Sequence, residues 1–233
     1  MVQTQQLTKK YGSFTALNSL DLKIDKGEIY CLLGANGAGK STTINTLLGF
    51  LKPDGGSATV NGINTSDNAD EARKFIGYIP ENVNLYPYLT GLENLDYFCK
   101  LAGIKYSKQE LTDFLLQCGL QQEAHDKRTQ GYSKGMRQKV GIAIAYAKKA
   151  TVYLLDEPAS GLDPLASNEL TFLLKKLASE GAAILMASHD IFRVRETCNR
   201  IGILKNGKLL KEMETDNVTV NELETIYLKY MQS

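Results

Sequence analysis

At 233 residues the chain is long enough for one large α/β domain with an inserted lobe. Its 27 Lys and Arg nearly cancel 26 Asp and Glu, which excludes the basic field of a typical nucleic-acid or anionic-membrane binder. The four cysteines (Cys31, Cys99, Cys118, Cys198) are widely spaced with no CxxC pair, so buried reduced thiols are expected rather than a zinc site or disulfides.

Apolar stretches fall far short of a bilayer crossing, and residues 1–30 hold no signal-peptide core, so a cytosolic protein is expected, free to dock onto a membrane partner. Residues 2–24 carry β-leaning segments broken at Tyr11-Gly12 and around Lys26-Gly27. With Ser57-Ala58-Thr59-Val60 and the turn Asn61-Gly62, they predict an antiparallel sheet beside the main core. Between them, the short apolar strand Ile29–Leu33 runs into Gly34-Ala35-Asn36-Gly37-Ala38-Gly39-Lys40-Ser41 and then a helix over Thr42–Leu48. This fits GxxxxGK[ST] in its proper strand-to-helix setting. Such a turn aims unpaired backbone N–H groups and the positive end of a helix dipole at one point, which suits a polyphosphate. The backbone from Asn36 through Gly37, Ala38 and Gly39 to Thr42 is the expected cradle. Lys40 would reach the terminal phosphates, and the Ser41 hydroxyl would ligate Mg²⁺.

After Ile76–Ile79 the character changes. Residues 90–125 are helix-dominated, with Gly103 and Gly119 as stops, and Ser133–Lys149 carries a helical apolar period. Parallel-sheet logic then resumes, with strands at 151–156, 182–187 and 200–205 and helices at 165–179 and 190–198. A hairpin at Asn206-Gly207 leads into Lys208–Leu210, and a last amphipathic helix covers 219–231. The expected organisation is a nucleotide-binding core, 1–81 and 149–233, interrupted by a helical insertion at 82–148. The strand Val152–Leu155 ends in Asp156 and Glu157, at the carboxyl edge where open α/β sheets bind ligands. Asp156 would hold Mg²⁺ through its water shell opposite Ser41, and Glu157 would accept a proton from an attacking water.

Six segments now stand in an order that resembles the ATP-binding subunit of an ABC transporter over nearly the full length. Gly34–Ser41 matches the Walker A loop, Gly77–Glu81 the Q-loop, Ser133–Met136 the signature segment, and Asp156-Glu157 Walker B. Ser160–Asp163 matches the D-loop, and Ser188-His189-Asp190 the switch histidine. The resemblance implies a P-loop NTPase core with a mixed, largely parallel sheet, an antiparallel β subdomain and an α-helical subdomain. It implies ATP as ligand, with Tyr11 stacking on adenine, and Mg²⁺ met by Ser41, Asp156 and Glu81. Glu157 and His189 would be catalytic, while Ser133, Gly135 and Asp163 would meet ATP held by a second ATPase subunit, most simply in a homodimer. Integral membrane permease subunits would be the other partners, met at 82–95, with no nucleic acid and a peripheral position on the cytoplasmic face.

Two positions depart from the family's pattern. Glu81 stands where glutamine is usual, and the signature LSGGQ reads Tyr132-Ser133-Lys134-Gly135-Met136. These variants, with Pro80-Glu81 and Leu85-Tyr86-Pro87, look like those of type-2 ABC exporters, so export is expected. Two other readings stay open: a soluble ATPase of the same type acting on nucleic acid or ribosomes, and a non-hydrolysing ATP-binding regulator.

Overall fold

The computed structural model describes residues 1–232; Ser233, the last residue of the expected domain, lies outside them. In chain order the elements are β1 (Val2–Tyr11), β2 (Phe14–Ile24), β3 (Ile29–Leu33), α1 (Lys40–Leu47), β4 (Gly55–Val60), β5 (Ile63–Asn64), α2 (Ala69–Lys74) and β6 (Ile76–Ile79). The helical stretch follows: α3 (Gly91–Leu101), α4 (Lys108–Gln117), α5 (Gln122–His125) and α6 (Lys134–Ala147). The chain then returns through β7 (Val152–Asp156), α7 (Pro164–Ser179), β8 (Ala183–Ser188), α8 (Ile191–Thr197), β9 (Arg200–Lys205), β10 (Lys208–Glu214) and α9 (Val220–Gln232).

These strands make two sheets. One has the order β2-β1-β4-β5 and is antiparallel. The other has the order β10-β9-β3-β8-β7-β6, parallel except for the antiparallel edge strand β10. Successive side chains on its inner strands go to opposite faces, and both faces are dry. Ile29, Cys31 and Leu33 join a core with Tyr153, Leu155, Ile184 and Met186 under the helices. Tyr30 and Leu32 join the other core with Leu154, Leu185, Ile44 and the antiparallel sheet. Each such fully buried aliphatic side chain contributes about 1.5–3 kcal/mol. All four cysteines are buried free thiols, and burial pushes the Cys118 thiol up to about 12.

The insertion is built from locally specified helices. Thr90 with Glu93, and Ser107 with Glu110, close reciprocal capping boxes that start α3 and α4. α6 seats this lobe on the core: a Cβ at Gly77 of β6 would stand 2.9 Å from the Ala145 methyl. Val83 packs into the notch left by Gly141, where an added Cβ would stand 2.8 Å away. The segment following β6 is thereby fixed against α6.

Two elements differ from the sequence expectation. α2 has no counterpart there, because Ala72 is its only buried residue and no apolar period marks it. β10 runs to Glu214 rather than Leu210; its charged residues continue pairing along an exposed sheet edge, where polarity conceals a strand.

The turn between β3 and α1 is set by close approach and by unusual dihedrals. A Cβ at Gly34 would meet the Leu204 carbonyl oxygen at 2.4 Å, a backbone atom that cannot swing aside. Gly37, at φ +81°, faces open space. Gly34→Ala is therefore expected to cost several times more stability than Gly37→Ala, which carries only the left-handed penalty of about 1–2 kcal/mol. Urea unfolding of both variants checks the order.

Candidate nucleotide site

The glycine-rich turn, the end of β7 and the tip of the β1–β2 hairpin converge on one cleft of about 230 Å³. Lys40, first residue of α1, is 5% exposed, and its ammonium is turned back onto its own loop. Nζ donates to the carbonyl oxygens of Gly34 at 2.7 Å and Ala35 at 3.2 Å, and lies 3.3 Å from Glu157 Oε1. The helix opens without an acidic residue in its first turn, so its N-terminal N–H groups keep their attraction for an anion.

Glu157 is held in an unusual pose. Its φ of 46° is left-handed, a conformation that costs a non-glycine residue about 1–3 kcal/mol. The backbone N–H donates to Ala187 O at 3.0 Å, and the bend turns the side chain toward Lys40. His189 Nδ1 lies 3.0 Å from the same Oε1, so one carboxylate oxygen stands between a lysine and a histidine. His189 itself is mostly exposed. Its backbone is held by its neighbours: the Asp190 N–H donates to Ser188 Oγ at 3.1 Å, and Asp190 caps α8 by accepting from the Arg193 N–H at 3.0 Å.

Asp156 ends β7 beside Ser41, and its Oδ1 is buried with no hydrogen-bond partner. Burial lifts its carboxyl above the usual carboxylate range; a hydrogen bond from Ser41 and the charge of Lys40 oppose this, while nearby Glu157 and, least, Glu81 add to it. Glu81 lines the cleft mouth and accepts from Ser160 Oγ at 3.2 Å. Tyr11 is half-exposed at the cleft edge.

The cleft unites Tyr11, Asn36, Gly37, Gly39, Lys40, Ser41, Thr42, Glu81, Asp156 and Glu157. Ala38 stands apart: its side chain is buried in the core and its N–H donates to Ala35 O at 3.2 Å, so only its backbone borders the loop. Ser133, Gly135 and Asp163 are not in this cleft at all. They line a second one of about 220 Å³, beside the starts of α6 and α7. There Ser133 Oγ accepts from the Met136 N–H, and Asp163 Oδ1 accepts from the Ala166 N–H at 2.9 Å, so both serve as helix caps. Sequence reasoning passed over Phe14, which is exposed and joins Tyr11 at the cleft edge. The two-residue turn Gly12-Ser13, which pairs Tyr11 with Phe14, was the available signal.

The chain is similar to known proteins in both sequence and fold. The family model described as ABC transporter matches residues 17–160. The chain is 38% identical over 219 residues to the bacitracin transport ATP-binding protein BcrA of Bacillus licheniformis, spanning 94% of this chain and 71% of that protein. It is 37% identical over 223 residues to the uncharacterized ABC transporter ATP-binding protein YdbJ of Bacillus subtilis (strain 168), spanning 94% and 72%. Among solved structures, an ATP binding subunit of an ABC transporter superposes with a TM-score of 0.86 at 30% identity, over 98% of this chain and 99% of that one. A dimeric, post-hydrolysis ATP-binding cassette bound to ADP and Pi superposes with a TM-score of 0.83 at 30% identity, over 92% and 99%. A loop that buries a lysine under an anion-seeking helix end, in a chain that matches this family over most of its length, leaves one assignment: the protein belongs to the ABC transporter family, as an ATP-binding and ATP-hydrolysing subunit.

Proposed function

We propose that this chain works as a homodimer that closes on two ATP molecules, and that closure drives export through separate membrane-embedded permease subunits. The observation that carries the reading is the separation of the two clefts. Lys40, Ser41 and Asp156 face one, while Ser133, Gly135 and Asp163 face the other, and no residue lines both. A second copy related by a two-fold axis offers its Ser133 cleft to the first copy's Lys40 cleft, and the reverse. The dimeric cassette bound to ADP and Pi supports this arrangement. Glu81 and the Lys134–Met136 variant, which resemble those of type-2 ABC exporters, support the outward direction, and the bacitracin transport protein among the relatives supports a role in transport.

Mg²⁺ fits the residues present. The partnerless, buried Oδ1 of Asp156 and the exposed Ser41 hydroxyl offer oxygen ligands of the kind this ion takes, with Glu81 close by. Among the described residues no group of three or more His, Cys, Asp or Glu forms a metal cage, so the ion is expected to arrive on the triphosphate. When bound, it neutralises charge on the phosphate oxygens.

In this reading Lys40 exchanges its loop carbonyls for phosphate oxygens and releases Glu157 Oε1. Glu157, already bent toward the cleft, then takes a proton from the water that attacks the terminal phosphate. His189, its backbone held between Ser188 and Asp190, orients that water and phosphate. Tyr11 and Phe14 flank the base, where each stacking contact contributes about 1–3 kcal/mol.

The permease surface is assigned to the groove of about 500 Å³ between Asn82–Pro87 and Thr129–Arg137. Tyr86 and Tyr97 pack edge-on beside it with ring centroids 4.9 Å apart and remain exposed, as does Tyr88. Exposed tyrosines beside a concave surface suit a protein partner. No helix among the described residues is long and apolar enough to cross a membrane, so the pathway is assigned to other polypeptides. A nucleic-acid role finds no support in a net charge of +1.

Glu157→Gln should retain ATP binding, slow phosphate release by about 10²-fold or more, and accumulate an ATP-dependent dimer in size-exclusion chromatography. Normal turnover in that variant would remove the assigned base. Ser133→Ala should leave ATP binding by the monomer intact and abolish the dimer; a dimer of unchanged affinity for itself would defeat the two-cleft reading.

Asp156 gives a prediction of opposite sign for stability and for function. Its raised folded-state pKa means the nucleotide-free protein is relieved at low pH and carries the full burial penalty once pH rises through that value. Asp156→Asn should therefore raise the melting temperature of the nucleotide-free protein at neutral pH by about 2–4 °C, the response of a domain this size to ~1 kcal/mol. The gain should shrink as the pH falls through the carboxylate range, and the additional stabilisation by ATP with Mg²⁺ should be lost. Calorimetry with and without ligand reads both effects.

A further inference from the structure

The signature segment also reaches back to its own nucleotide cleft. Lys134, first residue of α6, lays its aliphatic stem over Gly161: a Cβ built at that glycine would stand 3.4 Å from Lys134 Cδ and 3.6 Å from Nζ. Its ammonium thereby comes to 3.9 Å from Glu81 Oε1, the same oxygen that accepts from Ser160. Glu81 lines the Lys40 cleft, and its charge adds to the upward push on the Asp156 carboxyl. Three segments far apart in sequence thus share one carboxylate oxygen. The arrangement is not left to two loose side chains, because Val83, two residues beyond Glu81, is locked into the Gly141 notch of the same helix that Lys134 begins.

We propose that Lys134 acts in cis as a charge-compensating positioning residue for ATP bound in its own chain. Glu81, Asp156 and Glu157 put three carboxylates around a site that must take a polyanion, and among the described residues that line it Lys40 is the one buried lysine. At partial exposure the Glu81–Lys134 pair adds little to folding stability. Its consequence is for the field in the cleft. An unpaired Glu81 repels incoming phosphate, and the Lys134 ammonium beside it weakens that repulsion. Lys134 therefore sets ATP affinity through Glu81 rather than by touching nucleotide in this chain. The inference rests on the nucleotide reading of the cleft, yet concerns the monomer alone and does not need the dimer.

The test is a double-mutant cycle on ATP affinity, using Glu81→Gln, Lys134→Met and both together in the full chain. Binding of a fluorescent ATP analogue with Mg²⁺ is followed at protein concentrations below dimerisation, so the readout is affinity and not turnover. Lys134→Met should weaken binding by about three-fold or more in the wild-type background, and by less than about half that factor in the Glu81→Gln background. The difference should fade as salt is raised through about 0.5 M, as it must for a charge effect. An equal loss in both backgrounds would mean that Lys134 acts independently of Glu81 and would overturn the proposal, as would no loss at all. Wild-type protein that bound no analogue would instead sink the nucleotide reading beneath it, and the two failures are told apart by that control. Thermal unfolding of the four nucleotide-free proteins guards against misfolding: melting temperatures within a few degrees of each other make the affinities comparable, and if Lys134→Met melts early, Lys134→Gln takes its place.

Discussion

A buried ammonium with nowhere else to go organises this molecule. Lys40 is nearly inaccessible, and the turn carbonyls of Gly34 and Ala35 hold it together with Glu157. That arrangement satisfies the charge without using it up, since carbonyls are weaker partners than phosphate oxygens. The turn can hold it only because Gly34 allows the loop to press against the Leu204 carbonyl. The β3–β9 pairing is what brings that carbonyl there. The parallel sheet therefore shapes the anion site directly, in addition to supporting it.

Around this centre the charges are poised rather than paired off. Asp156 keeps a buried oxygen without a partner, and Glu157 keeps a strained backbone so that one oxygen can stand between Lys40 and His189. A fold optimised for stability alone would have removed both features. Under the proposed reading, both are retained because the most favourable state of the site includes ligand, the usual relation between strain and activity.

The helices between β6 and β7 are tied to the core at two places. α6 begins at Ser133 in the second cleft and packs through Ala145 against β6, the strand that leads to Glu81. Val83 joins the same helix at Gly141. Movement of the surface between Asn82 and Arg137 must therefore be felt at both clefts, because close-packed contacts of this kind shift together rather than deform. Tyr86 and Tyr97 pack edge-on at that surface and stay exposed, as does Tyr88.

The sequence alone determined what depends on local chemistry. The glycine-rich turn between β3 and α1 was legible because glycines followed by a helix-compatible run are encoded within one short segment. The inner strands were legible because burial on both faces demands unbroken apolar runs, as in Val152–Leu155. The helices between β6 and β7 were legible because elements such as α4 announce their caps and apolar faces. What carries little burial escaped: α2 has one buried residue and β10 is a charged edge strand. Only the tertiary structure decided which distant groups share a site. It set Phe14 beside Tyr11, returned the Ala38 side chain to the core, and divided Ser133, Gly135 and Asp163 from Lys40. It also brought Lys134 to Glu81 from the far end of the insertion. Spacing along a chain encodes a helix face or a turn, but a meeting between segments depends on how sheets and helices stack, and that is settled by packing of the whole core.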